Sequence, residues 1–353
     1  MGFQRDGREL LVVMIKATYD LPLVGQDVSL AGEQIPLIEA DSFSGEPGLS
    51  TPLYETDYAH FKPACDVLLL GSAYAPAEHS VTHLQVTLKV GSMMKQFMVI
   101  GRRRWRKNTF GISSSFPEKF NVLPISYDVA FGGTDRTEEH KGRTYTFLSN
   151  PVGCGYWQHT DNISNQLLPY TQQIGHPIEN PKGQYQPMAF SPIGRNWMPR
   201  CKYAGTYDQQ WVENTAPFWP QDFDEHYFQA APLDQTIPYP KGGEEVVLQN
   251  LTLDGYRAFN LPNQRMPITF ILYKGNDITR EAVLDTIILE PDKHRFTLTW
   301  RTNLALEKSI FDVKETVVGE LSRAWHRARR FPGKQYYSNL AELARVRRSQ
   351  RGS

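Results

Sequence analysis

Six consecutive apolar residues, Leu10-Leu11-Val12-Val13-Met14-Ile15, stand between charged neighbours near the start of the chain. A run this short, bounded in this way, predicts a strand buried on both faces. Asp66 to Leu70 repeats the pattern. His83 to Val90 alternates instead: Leu84, Val86, Leu88 and Val90 share one face, Gln85, Thr87 and Lys89 the other. Gly91-Ser92 supplies a turn, and Lys95 to Ile100 follows, so this pair predicts a β-hairpin. With further short strands expected at Gly25–Leu30 and Ile35–Glu39, the first 110 or so residues read as an antiparallel β unit.

The period fades between about residues 116 and 241, where thirteen prolines fall from Pro124 to Pro240. Proline lacks the amide hydrogen that helix interiors and central strands need. Aromatic residues are frequent in the same stretch, whereas disordered segments are aromatic-poor. The expectation is a packed, irregular region anchored by Trp157, Trp197, Trp211 and Trp219. Strands return at Glu244–Leu253, Ile268–Tyr273, Thr286–Leu289 and Arg295–Trp300, with turns at Asp254-Gly255 and Gly275-Asn276-Asp277. Asp312 to Arg330 predicts a helix ended by Pro332-Gly333, and Asn339 an N-cap for a last helix through Leu340, Leu343, Ala344 and Arg347. The expected fold is mainly β. It has antiparallel sheets in a sandwich or barrel, a β-rich domain over 1–310 with its loop-rich middle, and a helical tail over 311–353.

Charge changes this picture only at the end. The chain is neutral overall, with 38 basic and 38 acidic residues. From Lys314 onward ten basic residues face three acidic ones, a net +7 against −7 for the rest. At helical spacing Arg323, Arg327 and Arg330 fall on one face, a candidate partner-binding stripe. The three cysteines, Cys65, Cys154 and Cys201, are odd in number and have no CxxC spacing, which fits reduced, buried thiols in a reducing compartment. Neither a signal-peptide pattern nor an apolar run long enough to cross a bilayer is present, so no direct membrane insertion is expected.

Candidate chemistry is sparse. His79 and His83 have helical metal-ligand spacing but sit where a loop enters a strand, which would hold them about 13 Å apart. Asp222-Phe223-Asp224-Glu225-His226 gathers three carboxylates and an imidazole among aromatics. Paired carboxylates are what a glycoside hydrolase uses, so Asp222 and Asp224 form the alternative, carbohydrate-active site. A turn or cap cluster accounts for the same residues. Gly153-Cys154-Gly155 lacks the third glycine of a dinucleotide loop, and Cys154 with His159 is one thiol and one imidazole in a loop. Arg102-Arg103-Arg104-Trp105-Arg106-Lys107 is the strongest basic run and can grip phosphate, but no nucleic-acid motif accompanies it. No nucleic-acid partner is expected. Arg103 and Trp105 join the arginine stripe as partner-binding candidates.

Several stretches together resemble a family of domain-of-unknown-function proteins encoded beside type VI secretion effectors. They are Thr56-Asp57-Tyr58-Ala59-His60-Phe61-Lys62-Pro63, Asp66-Val67-Leu68-Leu69-Leu70-Gly71, Gly101-Arg102-Arg103-Arg104-Trp105 and Pro124-Ile125-Ser126-Tyr127. Ala130-Phe131-Gly132-Gly133, Asn150-Pro151-Val152-Gly153-Cys154-Gly155-Tyr156, Gly205-Thr206-Tyr207-Asp208 with Trp211, Pro220-Gln221-Asp222-Phe223-Asp224, Ala231-Pro232-Leu233-Asp234-Gln235 and Gly243-Glu244-Glu245 continue the match. The resemblance spans about Leu10 to Trp300, and the tail after Phe311 lies outside it. It implies an adaptor or chaperone, not an enzyme, with no cofactor. Such a protein binds the spike-tip (PAAR-like) region of a toxic effector, PAAR-containing or Rhs-type, and helps mount it on the VgrG spike.

Overall fold

A computed structural model describes residues 2–3, 8–77, 79–331, 333, 337 and 340–351. Strands of the first half include β1 (Glu9–Asp20), β2 (Cys65–Leu69), β3 (His83–Val90), β4 (Met93–Ile100), β5 (Trp105–Asn108) and β6 (Gly111–Ser114). The second half adds β7 (Glu245–Gln249), β8 (Tyr256–Asn260), β9 (Pro267–Leu272), β10 (Ile278–Glu281), β11 (Val283–Glu290), β12 (Arg295–Ala305) and β13 (Val313–Val318). The helices are short: α1 (Met198–Cys201), α2 (Gln209–Asn214), α3 (Arg323–Arg330) and α4 (Leu340–Arg351). The protein is mainly β. Among the described residues, no helix is long and apolar enough to cross a membrane.

Two compact units divide the chain, Met1–Gln264 with Val283–Ala305, and Arg265–Ala282 with Leu306–Ser353. The first holds two large sheets. One runs Gly2–Phe3, β1, β12, β11, β2, Thr236–Ile237; the other runs Thr171–Gln172, β4, β3, β7, β8. Neither closes into a barrel. Phe259 of β8 packs on Phe296 of β12 with ring centroids 5.2 Å apart, and Tyr19 of β1 stacks on the same ring at 5.2 Å. Every residue of β2 is buried, and each of Val67, Leu68 and Leu69 contributes roughly 1.5–3 kcal/mol of transfer free energy.

The β3–β4 hairpin forms as its alternation predicts, Val90 opposite Met93 and Gly91 at φ +54°. Other expectations change. β2 pairs with β11 in parallel, Asp66 opposite Thr286, so the framework is not wholly antiparallel. β1 is only half-buried over most of its length, because its outer neighbour is the two-residue strand Gly2–Phe3. Gly25–Leu30 and Ile35–Glu39 form no strands beyond a single Tyr19–Leu30 bridge. There the Gln34 side chain takes the Thr18 amide (2.8 Å) and carbonyl (2.9 Å), the backbone groups a ladder would use.

The middle of the chain is irregular and packed, as expected. Trp105, Phe131, Phe147, Ile163, Leu168 and Ile178 form a buried cluster, with Trp157 against it. Trp197 is buried, and Trp219 stacks on Phe223 at 4.4 Å. Trp211 is half-buried, its Nε1–H donating to the Phe218 carbonyl.

The second unit is a three-stranded sheet, β10–β9–β13, with Ile268, Phe270 and Ile271 of its central strand fully buried, followed by α3 and α4. The helix expected from Asp312 is replaced in its first half by β13. Val313, Thr316, Val317 and Val318 are β-branched residues that pair with the apolar β9, and Gly319 at φ +92° ends the strand. Only Arg323–Arg330 is helical, capped by Ser322 Oγ accepting from the Trp325 amide at 3.0 Å. α4 begins at Leu340; the expected cap Asn339 and the stop at Pro332 lie outside the described residues.

Candidate partner-binding cleft

In the first unit, segments 184–203 and 226–234 of the irregular middle border an open cleft of about 510 Å³. Its walls mix the rings of Tyr127, Phe147, Tyr185 and Tyr203 with glutamine, proline and aliphatic side chains. Tyr127 is set by an edge-on contact with Trp197 at 5.3 Å. Leu233, 62% exposed, and Lys202, whose Nζ lies 4.7 Å from the Tyr203 ring centre, stand at the rim.

The floor carries charge that is already paired. Pro199 occupies the first turn of α1, where its missing amide hydrogen costs nothing, and directs Arg200 inward. Arg200 makes a bidentate pair with Glu55 (2.5 and 2.9 Å) and donates to the carbonyls of Ile193 (2.8 Å) and Tyr227 (2.7 Å). Lys95, pointing inward from β4, donates to Gln235 Oε1 at 2.7 Å and lies 3.1 Å from Asp234. Burial pulls its ammonium below the ordinary lysine value, against the opposing pull of Asp234. Lys95 is legible in retrospect: it occupies the same inward phase as Phe97 and Val99.

Gln229 supplies an unusual polar group. Its Nε2 donates to Asp66 Oδ1 (2.9 Å) and the Ala64 carbonyl (3.2 Å), which fixes the amide's orientation. Its Oε1 is then left buried without a partner. Asp66 itself is a hub, also accepting from Lys62 Nζ (2.8 Å) and the amides of Ala230 (2.9 Å) and Ala231 (3.2 Å). This ties the border of the cleft to the buried strand β2.

The carboxylates of the cluster are engaged in loop and cap hydrogen bonds. Asp222 accepts from the Thr206 amide (2.9 Å) and hydroxyl (2.7 Å), bonds that lower its pKa. Asp224 caps a 3-10 turn, accepting from the His226 amide (2.9 Å) and lying 2.6 Å from its Nδ1. Of the cluster, His226 alone lines the cleft. Burial pushes the Cys154 thiol up to about 12, and His159 is engaged with Asp135 through its amide (2.7 Å). His79 and His83 bond locally, to the Ala77 carbonyl and the Thr82 hydroxyl. Among the described residues, no three His, Cys, Asp or Glu side chains are grouped to hold a metal.

Arg103 and Trp105, expected to meet a partner, are buried within the unit. Trp105 is fully buried, its Nε1–H donating to the Gly155 carbonyl at 3.1 Å. Arg103, also buried, donates to the Pro169 carbonyl (3.3 Å) and Gln172 Oε1 (3.2 Å). The run is extended, so alternation sends 103 and 105 inward and leaves Arg102, Arg104 and Arg106 exposed. In the second unit, Arg323, Arg327 and Arg330 are all exposed on α3, while Arg329 lies over Trp325 and 3.6 Å from Asp277.

Residues 6–301 match the model of a family described as "Uncharacterized protein conserved in bacteria (DUF2169)". The chain belongs to this family. No curated protein and no solved structure matches it. The matched span takes in the whole cleft and stops before β13 and the basic helices.

Proposed function

We propose that the chain is an adaptor whose cleft holds the spike-tip (PAAR-like) region of a type VI secretion effector, keeping it soluble for loading on the VgrG spike. The observation that carries this is the cleft itself. Its walls include the partly exposed rings of Tyr185 and Tyr203, which give contact area at small entropic cost, and its charged floor is committed to internal partners. A volume of about 510 Å³ seats several side chains of a bound segment. The exposed arginines of α3 contribute a positive surface that speeds encounter with an acidic partner.

The test is co-purification with the spike-tip region of the effector encoded beside this chain. Leu233→Arg alters an exposed rim position, so the variant should melt like the parent while capture falls at least tenfold. Equal capture by both proteins would remove the cleft from the interface.

A further inference from the structure

The hairpin β5–β6 presents an edge that its own fold leaves unpaired and a row of arginines that it leaves without carboxylate partners among the described residues. β6 pairs with β5 on one side, and among the described residues no strand covers its other side. Ser115 donates its amide to the Arg104 carbonyl, which sets the alternation of the ladder. By that alternation Ser113 faces Arg106 as a bonded pair, and the amides and carbonyls of Ile112 and Ser114 point outward. No backbone partner for either residue is found on the outer side among the described residues. The strand carries neither the charge nor the proline that usually blunts an edge.

One strand in from this edge lies a row of cations. Arg102, Arg104 and Arg106 recur every second residue, a repeat of about 6.6 Å. Elsewhere in the unit Lys16, Lys62, Lys95, Arg200 and Arg301 each meet a carboxylate within 3.1 Å. For these three arginines no carboxylate of the described residues lies at ion-pair distance. Arg102 sits 6.0 Å from the Tyr170 ring centre, and Arg104 donates to the Asn165 carbonyl at 2.6 Å. Arg106 shares its face with Ser113, a side chain small enough to let the guanidinium reach over the edge strand. The hairpin is held rigid from behind, since Trp105 and Ile112 pack in the buried cluster.

We infer that the outer edge of β6 accepts an extended, acidic segment of a protein partner as an added strand, its carboxylates spaced two residues apart to meet the arginine row. The alternate acidic residues of a β-strand repeat at the same 6.6 Å or so as the arginines, which gives register as well as attraction. This rests on the adaptor role proposed above and specifies a second contact outside the cleft.

Ser114→Pro deletes one outward amide and no internal ladder bond, and proline is tolerated on an edge. Arg102→Glu/Arg104→Glu/Arg106→Glu reverses the row on exposed side chains. With the neighbouring effector's spike-tip region as probe, both variants should bind at least tenfold more weakly than the parent while still melting cooperatively well above the assay temperature. In the parent complex, the amides of 112 and 114 should gain protection from hydrogen exchange. Parent-like binding by either variant overturns the inference and leaves the adaptor role standing. Should the parent itself fail to bind, the two fall together. A single-stranded oligonucleotide that binds through the arginines, indifferent to Ser114→Pro, would also overturn it by putting a nucleic acid in the partner's place.

Discussion

Arg200 and Glu55 face each other as a bidentate ion pair, Nη1 to Oε2 at 2.5 Å and Nη2 to Oε1 at 2.9 Å, with the guanidinium 2% exposed beneath the cleft. Burial alone would raise the Glu55 pKa, but the Arg200 charge outweighs it and holds the carboxyl below its ordinary 4.5. A depressed carboxylate stabilises the fold above its unfolded value, and that stabilisation is lost as pH falls through the folded value. Glu55→Gln should therefore flatten the acid limb of the stability curve below about pH 4.5. It also leaves a buried guanidinium uncompensated, a loss of about 3–5 kcal/mol near neutral pH that urea unfolding will measure.

Gly101 is required by contact. A Cβ there would lie 1.7 Å from the Glu118 carbonyl oxygen, which belongs to backbone and cannot rotate away. Gly101→Ala is expected to abolish soluble expression. Gly25→Ala is the control: nothing lies within 4 Å of its Cβ, and its φ of +81° costs only about 1–2 kcal/mol. Comparable yields from the two variants would refute the steric account.

Thiol reactivity should separate the three cysteines. Cys65 is fully buried and its thiol is raised well above its ordinary value by desolvation, and the Cys154 thiol sits at about 12. Cys154 and Cys201 are both partly exposed, so the raised Cys154 thiol is what separates them. At pH 8 an aromatic disulfide reagent should titrate one thiol quickly in the native protein and all three after denaturation. A second fast thiol, or fast labelling that survives Cys201→Ser, would contradict this.

Charge reversal of Arg323, Arg327 and Arg330 tests the stripe on α3. The three side chains are exposed, so the variant should unfold at the parent's temperature. Association with the spike-tip region should slow by about tenfold at low salt and less at physiological salt, because rim charges act chiefly on encounter. Stopped-flow rates equal to the parent's at both salt concentrations would make the stripe a solvated helix face.

Local patterns carried much of the framework. The alternation of Leu84, Val86, Leu88 and Val90 and the Gly91-Ser92 turn specify the β3–β4 hairpin, since burial of one face and a tight turn are both encoded within eighteen residues or so. The density of proline and aromatics marked the irregular middle, because such residues favour packing without ladders. What tertiary structure alone decided were the choices between partners. Val313–Val318 became a strand because β9 offered an edge 41 or more residues away in sequence, outweighing a helical register. Gln34 displaced a ladder because Thr18 lay opposite it. Arg103 and Trp105 went inward once their strand had a face to bury, and Lys95 became a cleft residue only when Asp234 and Gln235, some 140 residues later, came beside it. A sequence states which residues alternate; the burial of one face, and the charge that must then be paired there, is set by contacts between distant segments.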